Sequence, residues 1–129
     1  MMLTQKLATV NRIVLMVFLL ILSFNSEAKE KKWREADYVK QYCSGEIEFV
    51  LPDKTRVDCL TETHAIEFDY GKKWSEAVGQ SLYYAAETGK KAGIVLIVNE
   101  RTKERYLSRI NRTIKAHALN IDVWIIHLK

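Results

Sequence analysis

The sequence predicts an α/β domain in which helices flank a mixed central β-sheet. Three short runs of alternating apolar and polar residues follow one another between turns, which is typical of antiparallel strands. A helix, a strand, a second helix and a last strand come next, and this alternation is typical of parallel strands joined by helical crossovers. With one short helix at the start, the predicted order is α-β-β-β-α-β-α-β.

Residues 1–28 are predicted to be a signal peptide that precedes the domain. Lys6 and Arg12 stand before an unbroken apolar run from Ile13 to Phe24. A run of about 12 apolar residues has the length of a signal-peptide core, whereas about 20 are needed to span a bilayer. The alternatives are a buried core helix and an uncleaved N-terminal membrane anchor.

The residues after this run fit a cleavage site. Ser26 and Ala28 take the two small-residue positions before a cut that would leave Lys29 as the new N-terminus. The domain, residues 29–129, then faces outward whether the segment is cut or stays as an anchor. This predicts a periplasmic or secreted protein, in contact with a membrane only if the segment is uncleaved.

The net charge and the cysteines bear on three features of the domain, which are nucleic-acid binding, a disulfide and a zinc site. The 129-residue chain has a net charge of +4, and the domain keeps about +3, which permits nucleic-acid binding without arguing for it. Cys43 and Cys59 are the two cysteines, and export would allow a disulfide between them. Their spacing does not match a zinc site.

The first half of the domain predicts a helix and a three-stranded meander. Residues 35–42 are typical of a short helix. In "GEIEFVL", Ile47 and Phe49 point one way and the glutamates the other, which predicts a half-buried strand. The turns "PDKT" and "TETH" separate it from the strands "RVDCL" and "AIEFDY".

The second half predicts two helices and two strands. Gly71 ends the third strand and Gly89 suits the C-terminal cap of the helix between them. "AGIVLIV" predicts a strand buried on both faces, residues 102–119 an amphipathic helix and residues 121–128 a last strand. The apolar face of the first of these two helices comprises Trp74, Val78, Ser81, Leu82 and Ala85.

Three acids fall on neighbouring predicted strands. Asp58 lies on the second strand, and Glu67 and Asp69 share one face of the third. If the strands are neighbours, these carboxylates converge, and clustered carboxylates repel unless a cation lies between them. Hard oxygen ligands of this kind suit Mg²⁺ or Mn²⁺. The alternative is an acidic face exposed to solvent.

The helix after the third strand carries a polar stripe. Lys73, Glu76, Gln80 and Tyr84 recur at helical spacing, away from the apolar face, and Lys72 lies beside them. A lysine can stabilise charge on a phosphate, and a glutamine can donate a hydrogen bond to one. The alternative is a solvated helix face.

In this order the motifs resemble the PD-(D/E)XK nuclease superfamily, which has the restriction-endonuclease-like fold. Asp58 stands where that superfamily has an aspartate on the second strand, and "EFD" at 67–69 stands where it has (D/E)-x-K. "QSLYY" at 80–84 is similar to the Q-x-x-x-Y motif of its RecB-like and Holliday-junction-resolvase-like branch. The resemblance covers about residues 35–100 and implies an α-β-β-β-α-β core.

One position departs from this pattern, because Asp69 replaces the lysine of the third strand. Some members of the superfamily supply the lysine from the next helix, which makes Lys73 the candidate and Lys72 the second choice. The resemblance also suggests Glu35 as the acid of the first helix and Glu46 as an extra ligand.

The resemblance implies a nuclease that hydrolyses phosphodiester bonds of DNA with Mg²⁺ or Mn²⁺. The predicted signal peptide adds that this nuclease is exported, although most proteins that resemble this family act in the cytoplasm. The oligomeric state is undecided at this stage, and a homodimer is one possibility because many proteins of this superfamily are dimers. Two alternatives remain, a binding module that kept the fold without the chemistry, and an envelope protein in which the acids are coincidental. The implied catalytic residues are Asp58, Glu67, Lys72, Lys73, Gln80 and Tyr84, and the implied metal ligands are Asp58, Glu67 and Asp69.

Overall fold

The computed structural model describes residues 2–23 and 30–129, and they divide into two compact units, Met1–Lys31 and Lys32–Lys129. The predicted cleavage site lies outside the described residues. In the first unit, helix α1 (Met2–Ser23) extends beyond the apolar run on its N-terminal side. Its stretch Met2–Ile21 is long and apolar enough to cross a membrane, a test that signal sequences also pass. The helix is therefore compatible with either export prediction.

The second unit has the predicted order of elements, with ends that differ from the prediction by a few residues. A 3₁₀ turn, Gly71–Lys73, leads into the first long helix. The elements are α2 (Glu35–Tyr42), β1 (Glu46–Val50), β2 (Arg56–Leu60), β3 (His64–Tyr70), α3 (Trp74–Thr88), β4 (Lys91–Val98), α4 (Lys103–Ala116) and β5 (Ile121–His127).

The strands form one mixed sheet in the order β1-β2-β3-β4-β5, which confirms the α/β class. The meander β1-β2-β3 is antiparallel, and β4 and β5 are parallel to β3. The ladder between β2 and β3 is short, since its pairs are Cys59 with Ile66 and Leu60 with Ala65. Beyond Cys59 the two strands separate, and Asp58 lies at this fork.

Helices cover both faces of the sheet. On one face α3 and α4 pack over Ile94, Leu96 and Ile110, and on the other α2 packs over Phe68 and Ile97. Strand β4 is buried along nearly its whole length, as predicted for a strand covered on both faces. The predicted apolar face of α3 is confirmed, because its large side chains pack into the first of these clusters.

Strand β1 matches the prediction of a half-buried strand only in part, because Phe49 packs against Leu51 and Val57 whereas Ile47 is not covered. It lies at the edge of the sheet, and Ile47 and Val50 are 42% and 54% exposed. The alternation correctly predicted a strand, but the helices pack against β3 and β4 instead. Alternation reports which residues share a face and does not report whether another element covers it.

A disulfide joins Cys43 to Cys59, with their Cα atoms 5.7 Å apart. Cys43 is the C-terminal cap residue of α2, and Cys59 is buried in β2 next to Asp58. The pairing that the sequence left open is therefore present. It fixes the end of α2 against the strand that carries Asp58, and it suits an oxidising compartment.

Candidate active site

A polar cavity of about 270 Å³ opens between α2, α3 and the separating ends of β2 and β3. We call it the carboxylate cavity, because most of its polar side chains are acidic. Within the described residues, the sequence-predicted Asp58, Glu67, Asp69, Lys73 and Gln80 all line it. The polar lining comprises Glu35, Glu48, Asp58, Glu67, Asp69, Lys73, Glu76 and Gln80.

Asp58 owes its position to the fork between β2 and β3. Its Oδ2 accepts a hydrogen bond of 2.8 Å from the Phe68 backbone N–H, at a point where the strand pairing has ended. Burial and, to a lesser extent, the Glu48 and Glu35 charges raise the pKa of Asp58 to about 6, although the Phe68 hydrogen bond opposes the rise. The carboxylate thus satisfies a backbone donor of β3, and Asp58 also lines the cavity.

Glu67 is the most perturbed acid of the cavity. Glu67 is 6% exposed, and its Oε2 has no hydrogen-bond partner among the described residues. Burial, followed by the Asp58 and Asp69 charges, raises the pKa of Glu67 to about 9. A buried carboxyl oxygen without a partner destabilises a fold, and such groups cluster at functional sites.

Lys73 is the cation of this cavity, among the residues that the structure describes. Its Nζ donates a hydrogen bond of 3.2 Å to Glu35 Oε1 and forms an ion pair of 3.2 Å with Asp69 Oδ1. The Glu35 hydrogen bond is the largest of the causes that raise the pKa of Lys73 to about 12. Burial raises the pKa of Asp69 to about 7, although Lys73 opposes the rise. Lys73 is therefore charged at neutral pH and held from two sides.

The remaining acids only partly match expectation. Glu35 lines the cavity, as the resemblance suggested. Glu46 does not, because it lines a separate groove beside Thr61 and His64. Glu48 takes that place instead. Its backbone has a φ of 56°, in the left-handed region, between two residues that pair with β2. A simple alternation pattern carries no signal for this local twist.

The polar stripe of α3 divides between the cavity and the core. Gln80 and Glu76 line the carboxylate cavity. Tyr84 does not, since it is 6% exposed and packs with Leu51 and Val57. The structure therefore places this predicted site residue in the core, and the alternative of a solvated helix face does not hold for it. Burial raises the pKa of Tyr84, followed by the Glu67 charge, while a hydrogen bond with Gln80 lowers it.

Lys72 is not brought into this group. It lines a different cavity, although its chain neighbour Lys73 points into the carboxylate cavity. The two lysines belong to the 3₁₀ turn Gly71–Lys73, in which successive side chains diverge because the turn has three residues per revolution.

The donors of the cavity are carboxylate oxygens, which suit Mg²⁺ and Mn²⁺ rather than softer metals. Within the described residues, no three His, Cys, Asp or Glu side chains are arranged to hold one ion together. Mg²⁺ usually takes one or two carboxylates and keeps several waters. Asp58 and the unpartnered oxygen of Glu67 fit that smaller requirement.

Comparisons with known proteins add no relative to this description. No family model matches the chain, and neither a curated protein nor a solved structure matches it. The function is therefore argued from the cavity itself.

Proposed function

We propose that this protein is an exported, metal-dependent nuclease that hydrolyses phosphodiester bonds of DNA. The observation that carries the proposal is the meeting of Asp58, Glu67 and Lys73 in one cavity. The resemblance to PD-(D/E)XK nucleases implies two acids and one lysine at such a site. The α-β-β-β-α-β order of the domain supports the same resemblance.

Asp58 and Glu67 are the proposed ligands of the cation, with Asp69 close by. Bound there, Mg²⁺ or Mn²⁺ would neutralise charge on a phosphate oxygen and lower the pKa of a water molecule. The side chains themselves supply oxygen donors on the two sides of the fork between β2 and β3. The cation would favour the ionised form of Glu67, which burial and the Asp58 and Asp69 charges now disfavour.

Lys73 is the proposed source of fixed positive charge. Asp69 and Glu35 hold its ammonium group at 3.2 Å on either side, which pre-organises the charge before the substrate arrives. Preorganised charge stabilises a transition state without reorganisation. Gln80, which lines the cavity, can donate a hydrogen bond to a phosphate oxygen or to the attacking water.

The disulfide supports the exported part of the proposal. Disulfides persist outside the reducing cytosol, and Cys43–Cys59 joins two elements that build the cavity. The apolar helix α1 is compatible with export.

A second candidate is a nucleic-acid-binding module without cleavage. The observation that favours it is the double engagement of Lys73, whose ammonium group already contacts Glu35 and Asp69. In that case the domain binds DNA and the cation without hydrolysing the strand.

Cleavage of DNA separates the two candidates. Linear, circular and single-stranded DNA are incubated with the oxidised protein in Mg²⁺, Mn²⁺ or EDTA. We expect cutting with either metal, none in EDTA, and none by Asp58→Asn. The amide retains an oxygen that can accept the Phe68 hydrogen bond, so the variant keeps this contact of the fold.

Asp53→Asn is the matched control, because Asp53 lies in the turn between β1 and β2, outside the cavity, and accepts hydrogen bonds from Thr55. It should cut like the unmodified protein. A folded protein that binds DNA and cuts none of the three substrates would refute the nuclease and leave the binding module.

Lys73→Gln is expected to reduce cleavage by roughly 10²- to 10³-fold, the usual effect of removing one preorganised group that stabilises a transition state. Initial rates at saturating Mg²⁺ measure it, with Lys40→Gln, an exposed lysine of α2, as the control. Full activity in Lys73→Gln together with an inactive Lys72→Gln would transfer the role to Lys72.

A further inference from the structure

A second cavity, of about 350 Å³, adjoins the turn that leads into α3. We call it the lysine pocket. No Asp or Glu side chain of the described residues lines it, in contrast to the carboxylate cavity. Its cationic and aromatic lining comprises Lys32, Lys72, Lys129, Trp33, Tyr70 and Tyr106.

The wall of the lysine pocket is held in place by specific contacts. The Tyr70 hydroxyl donates a hydrogen bond of 3.1 Å to the Trp33 carbonyl. The Lys129 Nζ lies 4.3 Å from the centroid of the Trp33 ring, within the range of a cation–π contact. Glu100, which follows the pocket residue Asn99 in the chain, has its Oε1 3.0 Å from His127 Nδ1. Among the described residues, the pocket therefore combines a supported aromatic wall with three lysines and no lining acid.

The two cavities are neighbours because the same two chain segments line both. Trp33 lines the lysine pocket and Glu35 the carboxylate cavity, and Lys72 and Lys73 divide in the same way. Adjacent Cα atoms are about 3.8 Å apart, so Lys72 and Lys73 can contact two groups of one extended ligand. A polyanion with one phosphate beside Lys73 would bring another phosphate towards Lys72.

We propose that the lysine pocket binds a phosphate group of the nucleic-acid strand that the carboxylate cavity acts on. This inference rests on the function proposed above and adds how the strand is held. Lysine ammonium groups bind phosphates as point charges, and contacts to phosphates set the register of a strand without reading its sequence. The pocket would fix which phosphodiester bond reaches Asp58 and Glu67.

Binding measured without metal tests the proposal. Fluorescence anisotropy follows a single-stranded oligonucleotide, with either a 5′-phosphate or a 5′-hydroxyl, over a series of salt concentrations in EDTA. We expect Lys32→Gln/Lys72→Gln to bind about tenfold more weakly. The slope of log K against log salt should fall by about 0.7 for each lost phosphate contact. Lys115→Gln, an exposed lysine in the last turn of α4, should change neither.

The two oligonucleotides distinguish the source of the phosphate. Equal loss with both probes assigns the pocket to an internal phosphate, and loss confined to the 5′-phosphorylated probe assigns it to a strand end. Unchanged affinity and slope in a double variant with an unchanged Tm would overturn the proposal. The proposal would also be overturned if inorganic phosphate bound to the lysine pocket while the double variant and the unmodified protein bound the oligonucleotide equally well.

The same experiment separates this proposal from the nuclease itself. Normal cleavage and unchanged oligonucleotide binding by the double variant would refute the phosphate site in the lysine pocket and would not affect the proposed nuclease. Weaker binding by the double variant, together with no cleavage by the unmodified protein, would refute the nuclease and support the phosphate site.

Discussion

Replacing Glu67 with glutamine is expected to abolish metal-dependent cleavage and, at the same time, to make the metal-free protein more stable at neutral pH. The two effects have one cause. Glu67 is buried, its Oε2 has no hydrogen-bond partner among the described residues, and burial raises its pKa to about 9. Glutamine is nearly isosteric and cannot ionise, so it removes a cation ligand together with the free-energy cost of keeping Glu67 protonated above its ordinary pKa.

The pH dependence follows from the direction of the shift. Between its ordinary pKa of 4.5 and about 9, Glu67 keeps its proton in the folded protein and loses it in the unfolded chain. The free energy of unfolding therefore falls as pH rises through this range. At pH 7 the loss from Glu67 is on the order of 3 kcal/mol. Asp58 and Asp69 act in the same direction, because burial also raises their pKa values.

Urea unfolding in EDTA, from pH 4.5 to 9, measures this prediction. We expect Glu67→Gln to unfold at higher urea than the unmodified protein at pH 7 and to match it near pH 4.5. Glu87→Gln, an exposed acid of α3, is the control for loss of a surface carboxylate. A variant that is less stable at pH 7, or that keeps its cleavage rate, would contradict the assigned role of Glu67.

Removing the disulfide is expected to destabilise the domain by about 3 kcal/mol, because the bond closes a loop of about 15 residues in the unfolded chain. The paired variant Cys43→Ala/Cys59→Ala should also cleave DNA more slowly. The bond fixes α2 beside β2, and α2 supplies Glu35, which holds Lys73 at 3.2 Å. Loss of that tether would loosen the position of the ammonium group.

Unfolding in urea and initial cleavage rates below the midpoint of unfolding measure the two effects separately. Treatment with dithiothreitol should reproduce both in the unmodified protein and should not affect the paired variant, which serves as its own control. Equal stability of the oxidised protein and the paired variant would show that the bond has no structural role.

The sequence predicted the elements and part of the cavity because those features depend on local patterns. Alternation placed Asp58, Glu67 and Asp69 on strands of a meander, and helical spacing placed Lys73 and Gln80 on the following helix. Because β2 and β3 are neighbours and the connection from β3 to α3 is short, these side chains lie close to one another. The sequence could not predict whether Cys43 and Cys59 form a disulfide, since spacing along the chain does not report the distance between two residues in space.

The features that sequence patterns missed depend on tertiary structure. Tyr84 is buried because Leu51 and Val57 cover it from other elements. Lys72 diverges from Lys73 because α3 is preceded by a 3₁₀ turn. Glu48, rather than Glu46, enters the cavity through a left-handed backbone that no periodicity encodes.

The left-handed residue of β1 also bears on how the protein avoids aggregation. An exposed edge strand with apolar side chains such as Ile47 and Val50 can pair with the edge of another molecule and start an ordered aggregate. At Glu48 the backbone departs from the extended conformation, which interrupts the row of amide and carbonyl groups along that edge. The same residue therefore adds a carboxylate to the cavity and makes β1 a poor template for a second chain.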